Sequence, residues 1–338
     1  MNLLLEKYIG EFKQGRELNG PDAEDLLDAL ITEIDEKPLA DILTAWHGKG
    51  IETNEIYSIA KILRDRMIRV NSKHETFVDI VGTGGSKAKT FNVSTAAAFV
   101  VAGTGVPVAK HGNKAATSNS GSADVLGELG IDPTVDPAIA EQNLNDLGIC
   151  FMFAPNHHRL SPTLAKVRRG LGFPTIFNCV GPLCNPASAQ HQLIGVWDKE
   201  LVLKMADALG RLGTKKSWIV HGKDGLDEIS ISEPTLVAEI EGTNIREFEI
   251  IPEDFLMSVS STKGLSVTNA AASAKLIRNI LKNELNGSAA ESMVVMNAMV
   301  AFYLTRPGQT IGDALGYATN SIRSGQAINK LEQLTIAT

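Results

Sequence analysis

The sequence predicts an α/β protein in two parts: a small all-helical domain over residues 1–70 and a large α/β domain over 71–338 with a mainly parallel central sheet. Two observations carry this reading. Up to Val70 the apolar residues recur with helical spacing only, and from about Phe77 short apolar runs alternate with helical stretches. Strand and helix alternating in this way imply a parallel sheet covered by helices, since each parallel return needs a crossover. At 338 residues the chain is also too long for one small domain.

In the first block, Leu5, Tyr8, Ile9 and Phe12 form one apolar stripe, and Leu26, Leu27, Leu30, Ile31 and Ile34 a second. Ile56, Ile59, Leu63 and Met67 form another. Pro21 and Pro38 stand where helices begin and Gly48 where one ends. In the second block, "FVDIVG", "VPVAKHG", "ICFMFAP", "HQLIGVW" and "KSWIVHG" read as strands between helical stretches. "DEISIS", "TLVAEIEG" and "REFEII" read as shorter, more antiparallel strands, and helices return from about Asn269.

A net charge of −7 disfavours general binding to nucleic acid or to a membrane surface. Cys150, Cys179 and Cys184 have the spacing of neither a disulfide framework nor a zinc site, so they read as structural thiols. Charges in "MNLLLEKYIG" interrupt what would be the apolar part of a signal peptide. No apolar run approaches the ~18 residues of a membrane span. A cytoplasmic setting is expected.

Four polar clusters stand at predicted strand ends, where ligands of parallel sheets bind. The first is "GTGGS" after "VDIV": glycines admit close backbone approach, and Ser94 and Thr95 open the next helix, where free amides and the helix dipole attract phosphate. It is neither a P-loop nor a dinucleotide fingerprint, and a tight turn with a helix cap is the plain alternative. The second, "KHGNKAATSNSGS", supplies Lys110, His111, Asn113, Lys114, Thr117, Ser118 and Ser122. Two such loops on neighbouring strands suit two phosphate groups of one ligand; a solvated loop is the alternative. The third holds Asp227 and Glu228, adjacent carboxylates of the kind that bind Mg²⁺ beside substrate phosphates, or a surface acidic pair. In the fourth, Ser161 and Pro162 open a helix carrying Arg168 and Arg169, and Arg168 suits a carboxylate. His157 and His158 follow a strand, where adjacent side chains point to opposite faces and cannot share a metal.

Taken in order, "GTGG…TFNVST", "KHGN", "SGSADVL", "FMFAP", "TIFN", "NPA" and "DGLDEIS" resemble the anthranilate phosphoribosyltransferases over nearly the whole chain. The resemblance implies a nucleoside phosphorylase/phosphoribosyltransferase-like fold, a homodimer formed through the helical domain, and a segment around 162–190 that returns to that domain. It implies transfer of phosphoribose from phosphoribosyl pyrophosphate to the amine of anthranilate, with Mg²⁺, in tryptophan biosynthesis. Gly82, Gly85, Ser86, Thr90, Asn92, Val93, Ser94 and Thr95 would surround phosphoribosyl pyrophosphate on one side. Lys110, His111, Gly112, Asn113, Lys114, Ala115, Ala116, Thr117 and Ser118, with Ser122, would do so on the other. Ser94, Asp227 and Glu228 would hold Mg²⁺, and Gly82, Asn113 and Arg168 would contact the aromatic acid. No protein nucleophile is required.

The chain departs from the family's usual pattern at Ser86-Lys87, where Asp-Gly is usual, and at Lys89 and Lys114. These positions fall on the phosphoribosyl pyrophosphate side. Further departures at Arg159 to Pro162 and at Pro174 are expected on the aromatic-acid side. A paralogue acting on another aromatic amine, or a non-catalytic relative that binds nucleic acid, are the alternative functions; the second would call for a basic surface.

Overall fold

The computed structural model describes residues 3–86, 88, 90–115 and 120–338. The chain opens with four helices: α1 (Leu3–Lys13), α2 (Gly20–Thr32), α3 (Glu36–Lys49) and α4 (Thr53–Arg66). Their starts follow local chemistry. The Asn19 side chain accepts the Asp22 amide at the head of α2, with Pro21 in the first turn. Helix α3 ends at Gly50, not Gly48, because Gly50 takes the positive φ of 93°. The apolar stripes are buried as expected, except that Ile9 and Ile31 are half-buried and that α2 stops at Thr32 and leaves Ile34 exposed.

Strand β1 (Val78–Gly82), α5 (Val93–Gly103), β2 (Val108–Gly112), α6 (Ser122–Glu128), α7 (Pro137–Leu147) and β3 (Ile149–Phe153) begin the larger part. Helices α8 (Ala154–His157), α9 (Pro162–Gly170) and α10 (Ile176–Leu183) precede β4 (His191–Gly195), α11 (Leu201–Leu212) and β5 (Lys216–Gly222). Strands β6 (Thr235–Glu241) and β7 (Asn244–Ile250) and helices α12 (Ala270–Leu281), α13 (Ala289–Thr305), α14 (Ile311–Arg323) and α15 (Gln326–Ile336) complete it. The sheet order is β3-β2-β1-β4-β5-β6-β7. The first five strands pair in parallel and the last two antiparallel.

Residues of one strand alternate between two cores, as a period of two requires. Val78, Ile80, Leu193, Trp218 and Val220 face α5 and α12–α15. Ile194, Ile219, Ala238 and Ile240 face α11 and join the core of α1–α4. Leu164 and Val167 of α9 and Phe177 and Leu183 of α10 belong to that second core too. The segment after β3 thus packs on the first helices, with His47 stacked on Phe173 at 4.3 Å between ring centres. Arg64 of α4 fastens the two parts: its Nε donates to Leu183 O at 2.6 Å and its Nη1 to Leu212 O at 3.0 Å, capping α10 and α11 at once.

Two expected features differ. Residues 227–232 form no strand; the Ser230 and Ser232 hydroxyls both donate to Asp224, at 2.6 and 2.8 Å, and curl the segment into a turn. His157 and His158 sit on α8 and its cap rather than on an extended strand, and each imidazole bonds a backbone carbonyl, of Ile68 and Cys184 respectively.

The helical block is centred on one buried carboxylate. Glu55 is fully buried and accepts the Leu18 amide, the Trp46 indole N–H, the Glu52 amide and the Lys49 ammonium, each at 2.9–3.0 Å. Glu55→Ala would strand a buried ammonium and three further donors, which is expected to cost about 3–5 kcal/mol. Urea unfolding of the variant against the parent checks this; a loss below about 1 kcal/mol, the range of surface pairs, would mean the charge escapes to water.

Candidate active site

The sheet places the site. Strand order reverses between β1 and β4, the switch point at which crossovers leave in opposite directions and a crevice opens above the carboxyl ends. The two strands end in register on a pair of glycines, Gly82 opposite Gly195. Asp227 lies across both. A methyl group on Gly82 would meet Asp227 Oδ2 at 2.8 Å, and one on Gly195 would meet Asp227 O at 1.7 Å. The missing side chains are therefore what seats the carboxylate. The Gly84 amide donates to Asp227 Oδ2 at 3.1 Å, and the Asn178 amide holds Thr83 O at 3.1 Å.

Glu228 sits beside Asp227 and accepts the backbone N–H of Ser94 in the first turn of α5. The helix N-terminus anticipated as a phosphate cradle thus holds a carboxylate at this amide, which the same dipole favours. Burial, then the adjacent Asp227 charge, pushes Glu228 up to about 8, and burial raises Asp227. Lys110 is buried near Asp79 and Glu228, and its ammonium donates to Ile80 O and, at 3.4 Å, to Ser94 Oγ. Asp79 and Glu228 thus share one buried ammonium. On the cavity side Ser94, Asp227 and Glu228 offer oxygen ligands of the kind a hard divalent cation takes.

Arg168 of α9 is half-buried, with its guanidinium 4.8 Å from the centre of the Phe177 ring. Burial pushes it down to about 10. Its Nε has no hydrogen-bond partner among the described residues, nor do Thr83 Oγ1, His111 Nε2 and His158 Nδ1. All four residues line one cavity of about 570 Å³ between the helical block and the sheet. Buried polar atoms left unpaired are rare, and four around one cavity mark a place where a ligand supplies the partners.

The cavity gathers most of the expected site residues. Gly82, Gly85, Ser86, Thr90, Asn92, Ser94, Asp227 and Glu228 line it, as do Lys110, His111, Gly112, Asn113, Lys114, Ala115, Ser122 and Arg168. Val93 and Thr95 are buried in α5 and are not among its lining residues. Ala116, Thr117 and Ser118, with Lys87 and Lys89, lie outside the described residues. Pro174 packs on Gly85, which has φ +83° and no side chain on that face, and is not among the cavity's lining residues, whereas Leu160 and Pro162 are.

The sequence profile of the glycosyl transferase family, a/b domain, matches residues 74–328. Anthranilate phosphoribosyltransferase of Nitrobacter hamburgensis is 39% identical over 98% of this chain and 97% of its own. That of Rubrobacter xylanophilus is 40% identical over 98% and 96%. The chain belongs to the anthranilate phosphoribosyltransferase family. Among solved anthranilate phosphoribosyltransferases, the Thermus thermophilus crystal structure superposes with a TM-score of 0.88 at 32% identity, covering 98% of both chains. The Saccharomyces cerevisiae enzyme in complex with PRPP and Mg gives 0.89 at 28% identity, covering 100% of this chain and 98% of that one.

The anthranilate phosphoribosyltransferase motifs leave out two residues that hold the site in shape, Asp79 and Asn297. Asp79 on β1 accepts the His111 amide at 3.2 Å and the Asn185 side chain at 2.8 Å, and Asn185 also donates to Ala109 O at 2.9 Å. Asn297 on α13 accepts the Ile229 amide at 3.3 Å and fixes the backbone next to Glu228. Each is a lone polar residue in an apolar run, and that contrast was the signal available for Asp79 and Asn297.

His111 and His158 meet edge to face at 5.3 Å. Burial first, then the charges of neighbouring histidines, depresses His111 well below the usual imidazole range; burial brings His158 down to about 4. The folded form therefore refuses protons that the unfolded chain takes up below about 6.5. This contribution to stability is complete above that pH and is lost as pH falls towards 4. His158→Gln keeps a donor for Cys184 O without a titrating ring. Its thermal midpoint is expected to fall less than the parent's between pH 7 and 5, and equal falls would remove His158 from the account.

Proposed function

We propose that the protein transfers the phosphoribosyl group of phosphoribosyl pyrophosphate to the amine of anthranilate, releasing pyrophosphate, in tryptophan biosynthesis. One observation carries the reading: a single cavity is lined both by an adjacent carboxylate pair and by an incompletely paired guanidinium. The carboxylate pair suits a metal-bound pyrophosphate and the guanidinium an aromatic carboxylate. Relatives at 39–40% identity bear the corresponding name.

Ser94, Asp227 and Glu228 would hold Mg²⁺, which when bound supplies Lewis-acid stabilisation of the departing pyrophosphate. The Gly82–Ser86 turn and the Lys110–Ser122 stretch bracket the donor, and Lys110 adds positive charge where charge develops as pyrophosphate leaves. Arg168 pairs with the carboxylate of the acceptor and Asn113 orients it. His158 donates through Nε2 to Cys184 O, so its free Nδ1 is a hydrogen-bond acceptor. His111 is held likewise by the Gly181 backbone. The aromatic amine, neutral at ordinary pH, attacks C1 of the ribose as the C1–O bond to pyrophosphate breaks, and the proton it then sheds passes to the free imidazole nitrogen or to solvent. No protein nucleophile takes part; much of the rate comes from holding two substrates together.

We read residues 1–70 with 162–190 as one domain and the remainder as the other, with the site between them. A homodimer through the helical domain and a cytoplasmic setting complete the proposal. No helix among the described residues is long and apolar enough to cross a membrane.

Mixing the protein with anthranilate, phosphoribosyl pyrophosphate and Mg²⁺ should quench anthranilate fluorescence with release of pyrophosphate. Omission of Mg²⁺ should abolish the change. Loss of pyrophosphate release with every aromatic amine tried would overturn the reading. Arg168→Ala is expected to raise the KM for anthranilate by about one to two decades, since a charge-assisted pair is worth about 1.5–3 kcal/mol. The KM for phosphoribosyl pyrophosphate should move little, and steady-state kinetics with each substrate varied separates the two.

A further inference from the structure

The glycine turn after β1 and the acidic turn after β5 meet over the crevice, and Ser86 joins them. Its hydroxyl donates to Gly225 O at 2.6 Å and lies 2.9 Å from Ala88 O. Gly225 belongs to the turn that carries Asp227 and Glu228. That turn is closed on itself: the Gly222 amide donates to Leu226 O at 2.9 Å, the Gly225 amide to Gly222 O at 2.8 Å, and Asp224 gathers the hydroxyls of Ser230 and Ser232. The glycine turn has little stiffness of its own, since Gly84 and Gly85 take positive φ of 65° and 83°. It is held from outside, by Asn178 at Thr83 O, by Asp227 at the Gly84 amide, by Pro174 against Gly85 and by Ser86 at Gly225 O.

We infer that Ser86 is a positioning residue, whose hydroxyl latches the glycine turn to the acidic turn so that the two sides of the pyrophosphate end keep one spacing. The side chain acts through Gly225 and not as a ligand of the donor substrate. The chemistry is specific to a hydroxyl. A carbonyl oxygen needs a donor, and an aspartate, the residue more usual in this family, would set an acceptor against an acceptor at the same place. In this chain the latch keeps the backbone amide of Gly84 on Asp227, and with it the orientation of the carboxylate pair.

The consequence for catalysis rests on the proposed function; the mechanical consequence does not, so two measurements keep the failures apart. Hydrogen–deuterium exchange on the free protein reads the latch directly. Ser86→Ala and Ser86→Asp should speed amide exchange across 222–229 by about three- to tenfold, the size of one lost hydrogen bond, and Ser86→Thr should match the parent. In steady-state kinetics Ser86→Ala should raise the KM for phosphoribosyl pyrophosphate by a similar factor, more than it lowers kcat, with the KM for anthranilate little changed and Ser86→Thr restoring the parent value. Parent-like exchange in Ser86→Ala overturns the latch. Faster exchange with an unchanged KM for phosphoribosyl pyrophosphate overturns the positioning role. A parent protein with no turnover fails the functional reading alone.

Discussion

The seat of Asp227 on two side-chain-free positions is the constraint that the rest of the site depends on. Gly82 and Gly195 end neighbouring parallel strands at the point where the sheet reverses its strand order, and the acidic turn lies directly across them. A carboxylate can be buried at this depth only where backbone comes close enough to give it hydrogen bonds, because an unpaired charge in a protein interior is costly. The Gly84 amide meets that requirement for Asp227, and the Ser94 amide does so for Glu228. The glycines are therefore a consequence of the acids, and the acids of the crevice.

Charge at this end of the cavity is unbalanced. Asp79 and Glu228 both act on the single buried ammonium of Lys110, and half-buried Asp227 adjoins Glu228. Asp79 is the best compensated of the three by hydrogen bonds, yet burial still pushes it up to about 6. The excess negative potential has the sign that a divalent cation would neutralise, and an anionic pyrophosphate would need such a cation to be held beside it. Arg168 lines the same cavity, half-buried against Phe177, with its Nε unpaired among the described residues.

The frame around the cavity is made of backbone groups gripped by single side chains. Arg64 caps two helices from a third. Asp79 and Asn185 tie the end of β2 to the turn after α10, whose Cys184 carbonyl in turn orients His158. Each such bond crosses from one element to another, so the geometry of the cavity is set by a few long-range contacts and not by the helices and strands separately.

The amino-acid sequence by itself determined the elements and their class. Apolar spacing of 3.6 and of 2 is a local property, and so are the caps at Asn19 and Ser161; helices and strands were legible for that reason. The motifs located the site because glycines, carboxylates and lysines at strand ends follow from the geometry of a parallel sheet. Local pattern failed where a side chain satisfied a distant partner. "DEISIS" has the alternation of a strand, but Asp224 collects its two serines and makes it a turn. Pro174 reads as part of the acceptor side, yet its ring packs on Gly85. Only the tertiary structure decided that Ser86 faces Gly225, that Asp79 holds His111, and that Arg168 lines the same cavity as the carboxylates, because each of these depends on which segments the fold brings together and not on the residues adjacent in the chain.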